Sequence, residues 1–414
     1  MAAETGAENH EDRRLSLLWQ ISRAFSPAAP IDRRELFAGR VDQVTEVIDV
    51  IYQPGQHAVL YGERGVGKTS LARVMAEFVA SASSERNILA PRANCDSLDD
   101  FSSIWRKVLD EIKISQKIPA AGFRPQVAEA VQSASSLLGE GPVTPEMVRQ
   151  ALQVLGSSVT TVVFVDEFDR IEDPAVRTLF ADTVKTLSDN LVRATLVLVG
   201  VADNVDELIS EHQSIERNLV QIHMQRMSKD ELKEIVTKGL TSIEMTIEPA
   251  ALDSITQLSQ GLPHYTHLLA QNAARSAVDA GRTDIGLGDV ADAVKKAIRK
   301  AQESIINLYH RAILSTRENL YEQVLLACAL AHGDELGYFA AADVRDPLSK
   351  IMKRRYEIPA FARHLNALSD KERGPVLHKK GVTRRFRYRF LNPLIQPYVI
   401  MRGLSSEMIT SSYL

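Results

Sequence analysis

Gly62-Glu63-Arg64-Gly65-Val66-Gly67-Lys68-Thr69 is the stretch on which the fold turns. It fits G-x-x-x-x-G-K-[ST] and sits between an apolar run, His57 to Tyr61, and a helix-periodic segment from Lys68 to about Ser81. Glycines let such a loop turn its backbone N–H groups onto phosphates, and the N-terminus of the following helix adds partial positive charge. Residues Gly62 to Ser70 are therefore the expected phosphate cradle, with Lys68 reaching the β- and γ-phosphates of a nucleotide and Thr69 holding Mg2+.

Outward from the loop, strands alternate with helices. A helix from about Val41 to Tyr52 precedes it, and a strand Ile88 to Asn94 and a helix Leu98 to Ile112 follow. Residues Ser115 to Gly141 have weak periodicity and read as an insertion, after which Thr144 and Pro145 start a helix as N-cap and first helical residue. Two strands without polar alternation, Thr161 to Val165 and Ala194 to Val201, flank a helix Pro174 to Asp189, and a short strand Val220 to His223 closes the series. Unalternated apolar strands are covered on both faces, so the pattern implies βαβ crossovers and a parallel sheet. From Ser228, which can form a capping box with Glu231, the chain turns helical, over about Lys229 to Leu240, Pro249 to Ser259, Pro263 to Ala280 and Leu287 to Tyr309.

A second chemical element is Thr161-Val162-Val163-Phe164-Val165-Asp166-Glu167. A buried strand tolerates carboxylates at its carboxyl end only where they meet solvent or a metal ion, and in open α/β sheets that end is the ligand crevice. Asp166 is the expected Mg2+ ligand, and Glu167 the group that orients and deprotonates an attacking water.

Composition narrows the field. The 414 residues carry 49 Lys and Arg against 53 Asp and Glu, with 21 Gly and 16 Pro, which is too even for collagen, a coiled-coil rod or wholesale disorder. Cys95 and Cys328 alone supply neither a disulfide framework nor a cysteine zinc site. No apolar run approaches the ~20 residues that span a bilayer, and MAAETGAENHEDRR lacks the order of a signal peptide, so a cytoplasmic protein without a membrane partner is expected. Met1 to Arg13 should fray, ahead of a short helix whose apolar face carries Leu15, Leu18, Trp19, Ile21, Ala24 and Phe25.

The loop at Gly62 to Thr69, the Asp166-Glu167 pair and the helical segment after the sheet together resemble a P-loop ATPase of the AAA+ and STAND superfamilies. More narrowly, the chain is similar to the archaeal Orc/Cdc6-like initiators and the signalling STAND ATPases. The resemblance implies an α/β, ASCE-type P-loop sheet with helices on both faces, then an all-helical lid and a winged-helix domain, with ATP/ADP and Mg2+ as cofactors. The implied divisions are an N-terminal tail and helix over 1–35, the ATPase core over 36–226, the lid over 227–315 and the winged helix over 316–414. Leu36-Phe37-Ala38-Gly39-Arg40 resembles the F-x-G-R segment beside the adenine, which assigns Gly39 and Arg40 to the nucleotide. Asp203 or Asn204, after the strand ending at Val201, takes the sensor 1 place, where the family more often has Asn. Arg217, in Ile215-Glu216-Arg217-Asn218-Leu219, matches the arginine finger that completes a neighbouring subunit's site, which implies a nucleotide-dependent homo-oligomer. Gly261-Leu262-Pro263-His264 resembles the G-L-P turn of STAND ATPases. His264 stands where the AAA+ pattern has the sensor 2 Arg, which favours a slow nucleotide switch, and Pro263 and His264 join the nucleotide-contacting set.

The carboxyl-terminal part is set apart by charge. From Lys350 to Arg402 fourteen basic residues face three acidic ones, a balance of +11 that leaves −15 on the remainder. Helices at about Leu320 to Ala331, Pro347 to Lys353 and Pro359 to Ser369, then arms Pro375 to Lys379 and Arg384 to Phe390 around Gly381, have the layout of a winged helix. Arg385, Arg387 and Arg389 alternate with Phe386, Tyr388 and Phe390, so the arginines share one strand face. Lys379, Lys380, Arg384, Arg385, Arg387 and Arg389 would contact phosphates of DNA or RNA, and Arg363 on the third helix would enter a groove, alongside His364 and Asn366. The overall expectation is a regulatory ATPase whose nucleotide state controls assembly and engagement of nucleic acid or a partner. Its alternatives are an origin- or transposon-type DNA-binding initiator and a signalling switch, as in phage defence, that acts through a separate effector protein.

Overall fold

The structure, a computed structural model, describes residues 2–27, 38–81, 88–119, 127–157, 159–209, 215–315, 319–382 and 385–413. Leu36, Phe37 and Arg384, and the expected divisions at 35/36 and 315/316, fall wholly or partly outside them.

The strands are β1 (His57–Gly62), β2 (Ile88–Leu89), β3 (Arg92–Asn94), β4 (Lys113–Pro119), β5 (Val127–Ser133), β6 (Thr160–Asp166), β7 (Ala194–Val201) and β8 (Leu219–His223). The central sheet runs β2-β6-β7-β1-β8, with β3 also on β6, and every pairing in it is parallel. Period-2 alternation sorts its side chains between two cores. Ala58, Leu60, Val162, Phe164, Val197 and Val199 enter one, while Val59, Val163, Val165, Leu196 and Leu198 enter the other. Helices Val41–Tyr52 and Lys68–Ser81 contribute to the first core; Phe101–Asp110, Pro145–Gly156 and Pro174–Asp189 cover the opposite face.

Several expectations are corrected. The strand Ile88 to Asn94 is two short strands, because Pro91 has no N–H for the ladder; its carbonyl still accepts from Phe164 N at 3.0 Å, so pairing with β6 continues across the break. The helix after it starts at Phe101 rather than Leu98, where Asp100 and Ser103 form a reciprocal capping box. The weakly periodic insertion is an antiparallel hairpin, β4 on β5, followed by a 3-10 turn Ala134–Leu138. Among the described strands, β4 and β5 pair only with each other, apart from the central sheet.

The lid comprises helices Lys229–Thr241, Pro249–Ser259, Pro263–Asp279, Leu287–Arg299 and Glu303–Ile313. The last two were expected as one helix. The chain breaks at Gln302, which is extended, and the redirected segment buries Ile305, Tyr309 and Ala312, with the Tyr309 hydroxyl donating to Glu322 at 2.7 Å. The amino terminus is helical over Ala2–Ala24 rather than frayed, as its Ala and Glu content favours. Arg14–Asp279 (2.7 Å), Arg275–Ser22 (2.9 Å) and Gln271 Nε2 on the Phe25 carbonyl (2.6 Å) hold it on the lid helix Pro263–Asp279.

Helices Tyr321–Leu330, Ala341–Ile351 and Ile358–Leu368, and the antiparallel strands Leu377–Lys380 and Arg387–Phe390, form the winged helix. Two features differ from expectation. The second helix begins six residues before Pro347, where Asp343 caps the Ala340 N–H at 2.7 Å. A further helix, Ile395–Ser405, packs on Tyr321–Leu330 so closely that a Cβ on Gly403 would lie 2.7 Å from Leu326 Cδ2. One continuous apolar cluster joins sheet, lid and winged helix.

Candidate nucleotide site

The strand order places the loop after β1 between the carboxyl ends of β7 and β8. There a cleft of about 770 Å3 opens beneath the lid. Its centre is Arg64 to Ser70, one flank is Asp166, Glu167, Asp169 and Arg170, and the other is Ala38, Met227, Ile235, Pro263, His264 and His267. Gly62 has φ of 147°, and a Cβ there would meet the Met224 carbonyl at 2.4 Å, so the residue that starts the loop is confined to glycine.

Lys68 is buried, and its Nζ donates to the loop's own carbonyls, Gly62 O at 2.9 Å and Glu63 O at 2.7 Å. Burial pulls its pKa down to about 8 against the opposing pull of Asp169, Asp166 and Glu63. Asp166 is buried and has a raised pKa from desolvation, although the Glu167 N–H (2.8 Å) and the Thr69 hydroxyl both hydrogen-bond it. A desolvated carboxylate beside a hydroxyl is a donor set that suits a divalent cation. Glu167 turns out of β6 with φ of 55°, is exposed, and pairs with Arg170 at 3.1 Å.

Gly39 and Arg40 are held from the lid: Gly39 N donates to Glu234 at 2.9 Å and Arg40 N to Glu231 at 3.0 Å. The buried Arg40 guanidinium donates to Val66 O at 2.9 Å and to Gln225 O, so it supports the loop from beneath, and burial lowers its pKa. His264 Nδ1 meets the Pro27 carbonyl at 2.6 Å, which ties the end of the amino-terminal helix to the cleft.

Asp203 and Asn204 do not line the cleft. Asn204 caps a short turn by accepting from Glu207 N at 3.1 Å. Asp203 pairs with Arg389 of the wing, whose guanidinium also lies 4.8 Å from the Tyr338 ring. A second link begins at Glu63, which pairs with Arg226 at 2.8 Å; Arg226 donates to Gln396 at 2.7 Å, and Gln396 to the Ala329 carbonyl at 2.9 Å. Leu394 completes the contact: its carbonyl accepts from the Tyr265 hydroxyl at 2.6 Å, and its side chain lies against Gly65. Arg226, Asp169 and Gln396 were not legible as site residues, since each acts through a partner far away in sequence, and neither was His267, which only the packing of the lid brings to the cleft.

Arg217 is exposed on the turn before β8, and the register pairs Leu219 with His57, the first residue of β1. It therefore lies at the opposite end of the sheet from the loop, roughly 15 Å away at strand rise, and does not reach its own cleft. Of the wing residues, Arg387 pairs with Asp334 at 3.0 Å and donates to Tyr338 O at 3.0 Å, while Lys379 donates to Asn366 at 2.8 Å. Arg363, Lys380 and Arg385 are exposed, and His364 is buried against Tyr321.

Loop, carboxylate strand and sheet order define a P-loop nucleoside triphosphatase of the STAND and AAA+ type. Residues 25–334 match the family described as Novel STAND NTPase 1, nSTAND1, and the chain belongs to that family. Among solved structures it is similar in fold to a Walker-type ATPase, PABY2304, of Pyrococcus abyssi, with TM-score 0.52 and 16% identity over 90% of this chain and 98% of that one. Two Aeropyrum pernix proteins also align. They are ORC2 in ADPNP-ADP complexes (TM-score 0.49, 15% identity, 93% and 98% covered) and ORC1 in complex with DNA (TM-score 0.49, 12% identity, 95% and 98% covered). No curated protein sequence matches the chain. No helix among the described residues is long and apolar enough to cross a membrane.

Proposed function

We propose that the chain is a slow regulatory ATPase in which the winged helix, seated against the core beside the phosphate loop, holds a closed state that ATP must release for the protein to assemble. The observation that carries this reading is the double link from the ATPase core to the winged helix, Asp203–Arg389 on one side and Glu63–Arg226–Gln396 on the other. A sensor 1 carboxylate engaged by the wing is not free to act in turnover, so hydrolysis and wing release become coupled. In this reading the four units separated at 35, 226 and 315 are functional ones: tail, core, lid and winged helix.

The roles follow from position. Gly62 to Ser70 cradle the phosphates with Lys68 as the cationic ligand, Thr69 and Asp166 hold Mg2+, and Glu167 deprotonates water once it leaves Arg170. Bound Mg2+ would neutralise phosphate charge. Gly39, Arg40, Pro263 and His264 close the lid side, Asp203 or Asn204 senses the γ-phosphate after the wing lets go, and Arg217 serves the cleft of another copy. The charge split favours a second reading, in which the released wing binds DNA or RNA through Arg363, Lys379, Lys380, Arg384, Arg385, Arg387 and Arg389. A separate effector protein is the other candidate partner for that surface.

Mass measured with ADP and with ATP, each with and without duplex DNA, tests the proposal. A single copy in ADP and a larger species in ATP is the expected result, with DNA bound only in ATP if the nucleic-acid reading holds. The same mass in both nucleotides overturns the switch, and no affinity for DNA or RNA at low salt removes the second reading.

A further inference from the structure

His267 lies one helical turn beyond His264 on Pro263–Asp279 and lines the lid flank of the cleft. It is 95% buried, and neither of its ring nitrogens has a hydrogen-bond partner among the described residues. His264 differs, because its Nδ1 is already engaged by Pro27. The edge of Phe25, with ring centroids 6.0 Å apart, packs against the His267 ring without satisfying either nitrogen. Burial brings its pKa down to about 4, so the imidazole is neutral near pH 7 and offers one donor and one acceptor. Leaving such a group unpaired in a folded protein is costly, and a ligand that supplies the missing partner recovers that cost.

The phosphate loop and Asp166 assign the phosphate end of the cleft. The flank that remains for the rest of a nucleotide carries the apolar Ala38, Met227, Ile235 and Pro263, with Ser26, Arg40 and the two histidines as its polar side chains, and of these the Arg40 guanidinium is engaged by the Val66 and Gln225 carbonyls. We infer that His267 is a base-contacting residue that hydrogen-bonds the edge of the nucleobase. This rests on the nucleotide reading above and adds an anchor that the loop motif does not supply. A neutral imidazole can present either a donor or an acceptor, so His267 anchors a base without choosing between 6-amino and 6-oxo purines.

The test is titration calorimetry with Mg2+ of the full chain and its His267→Leu and His267→Gln variants, using ATP, GTP and ribose 5′-triphosphate, which has no base. The Leu variant should lose about tenfold in affinity for both purine nucleotides and nothing for ribose triphosphate, with Gln restoring part of the loss. In the absence of ligand, the Leu variant should melt no lower than the parent, because an unpaired polar group has been removed. An equal loss for all three ligands, or no loss for any, overturns the inference, as does a parent that binds ribose triphosphate as tightly as ATP. A parent that binds none of the three overturns the nucleotide reading itself.

Discussion

The phosphate loop and the wing both present cations close to the nucleotide cleft, but they are tied down at very different range. Lys68 finds its partners five and six residues away, in the carbonyls of its own loop, whereas Arg389 reaches Asp203 across 186 residues. A contact closed within a few residues is encoded by local backbone needs such as the positive φ of Gly62. A contact across the chain exists only because lid, sheet and winged helix share one core. The first kind defines a chemistry, while in the proposed switch the second decides when that chemistry runs.

The comparison breaks most sharply at the loop. Lys68→Ala should abolish nucleotide binding measured by calorimetry, while Glu167→Gln should bind normally and hydrolyse about 100-fold more slowly in a phosphate-release assay. Arg217→Ala should also bind but not turn over, and mixing it with Lys68→Ala should restore activity. If the Glu167 variant turns over at the parental rate, the base is elsewhere; if the mixture stays silent, Arg217 does not act between copies.

A smaller effect, of opposite sign, is expected at the wing. Arg389→Ala removes one partner of a partly buried pair, which should be worth about 1 to 2 kcal/mol and raise the open population roughly 5- to 30-fold. The readout is faster hydrogen exchange in Leu377–Lys380 and Arg387–Phe390 and a raised ATPase rate. Unchanged exchange and rate would mean that the wing rests on the cleft without restraining it.

The mildest effect is on pH. His57, whose Nδ1 accepts from Leu196 N at 2.9 Å, and His267 both have folded pKa values of about 4 from burial, against 6.5 unfolded. Between those values the unfolded chain binds more protons, so stability is full above about pH 6.5 and falls as pH drops toward 4, by at most about 3 kcal/mol per histidine. Urea midpoints from pH 7 to 4.5 should show the decline, and His267→Leu should make it shallower. A flat profile in the parent would mean that both sites admit water.

How far each region could be read without coordinates follows from the same distinction of range. The loop, the Asp166 strand end, the Thr144-Pro145 helix start and the Ser228 capping box were all legible, because each is a short-range rule about orphan N–H groups or glycine φ. The parallel sheet followed by a helical segment was legible because strand and helix periods record which faces are buried. The hairpin β4–β5 and the break at Gln302 were not, since the first pairs apart from the central sheet and the second is set by where Tyr309 must go. Nor was the role of Arg389: alternation put it on one face with Arg385 and Arg387 but did not say whether that face meets a phosphate backbone or Asp203. Sequence alone determined the fold class and the phosphate chemistry, because backbone geometry and burial patterning act over a few residues. Tertiary structure decided which charges near that chemistry are already paired, because ion pairing depends on which distant segments the shared core brings within about 3 Å.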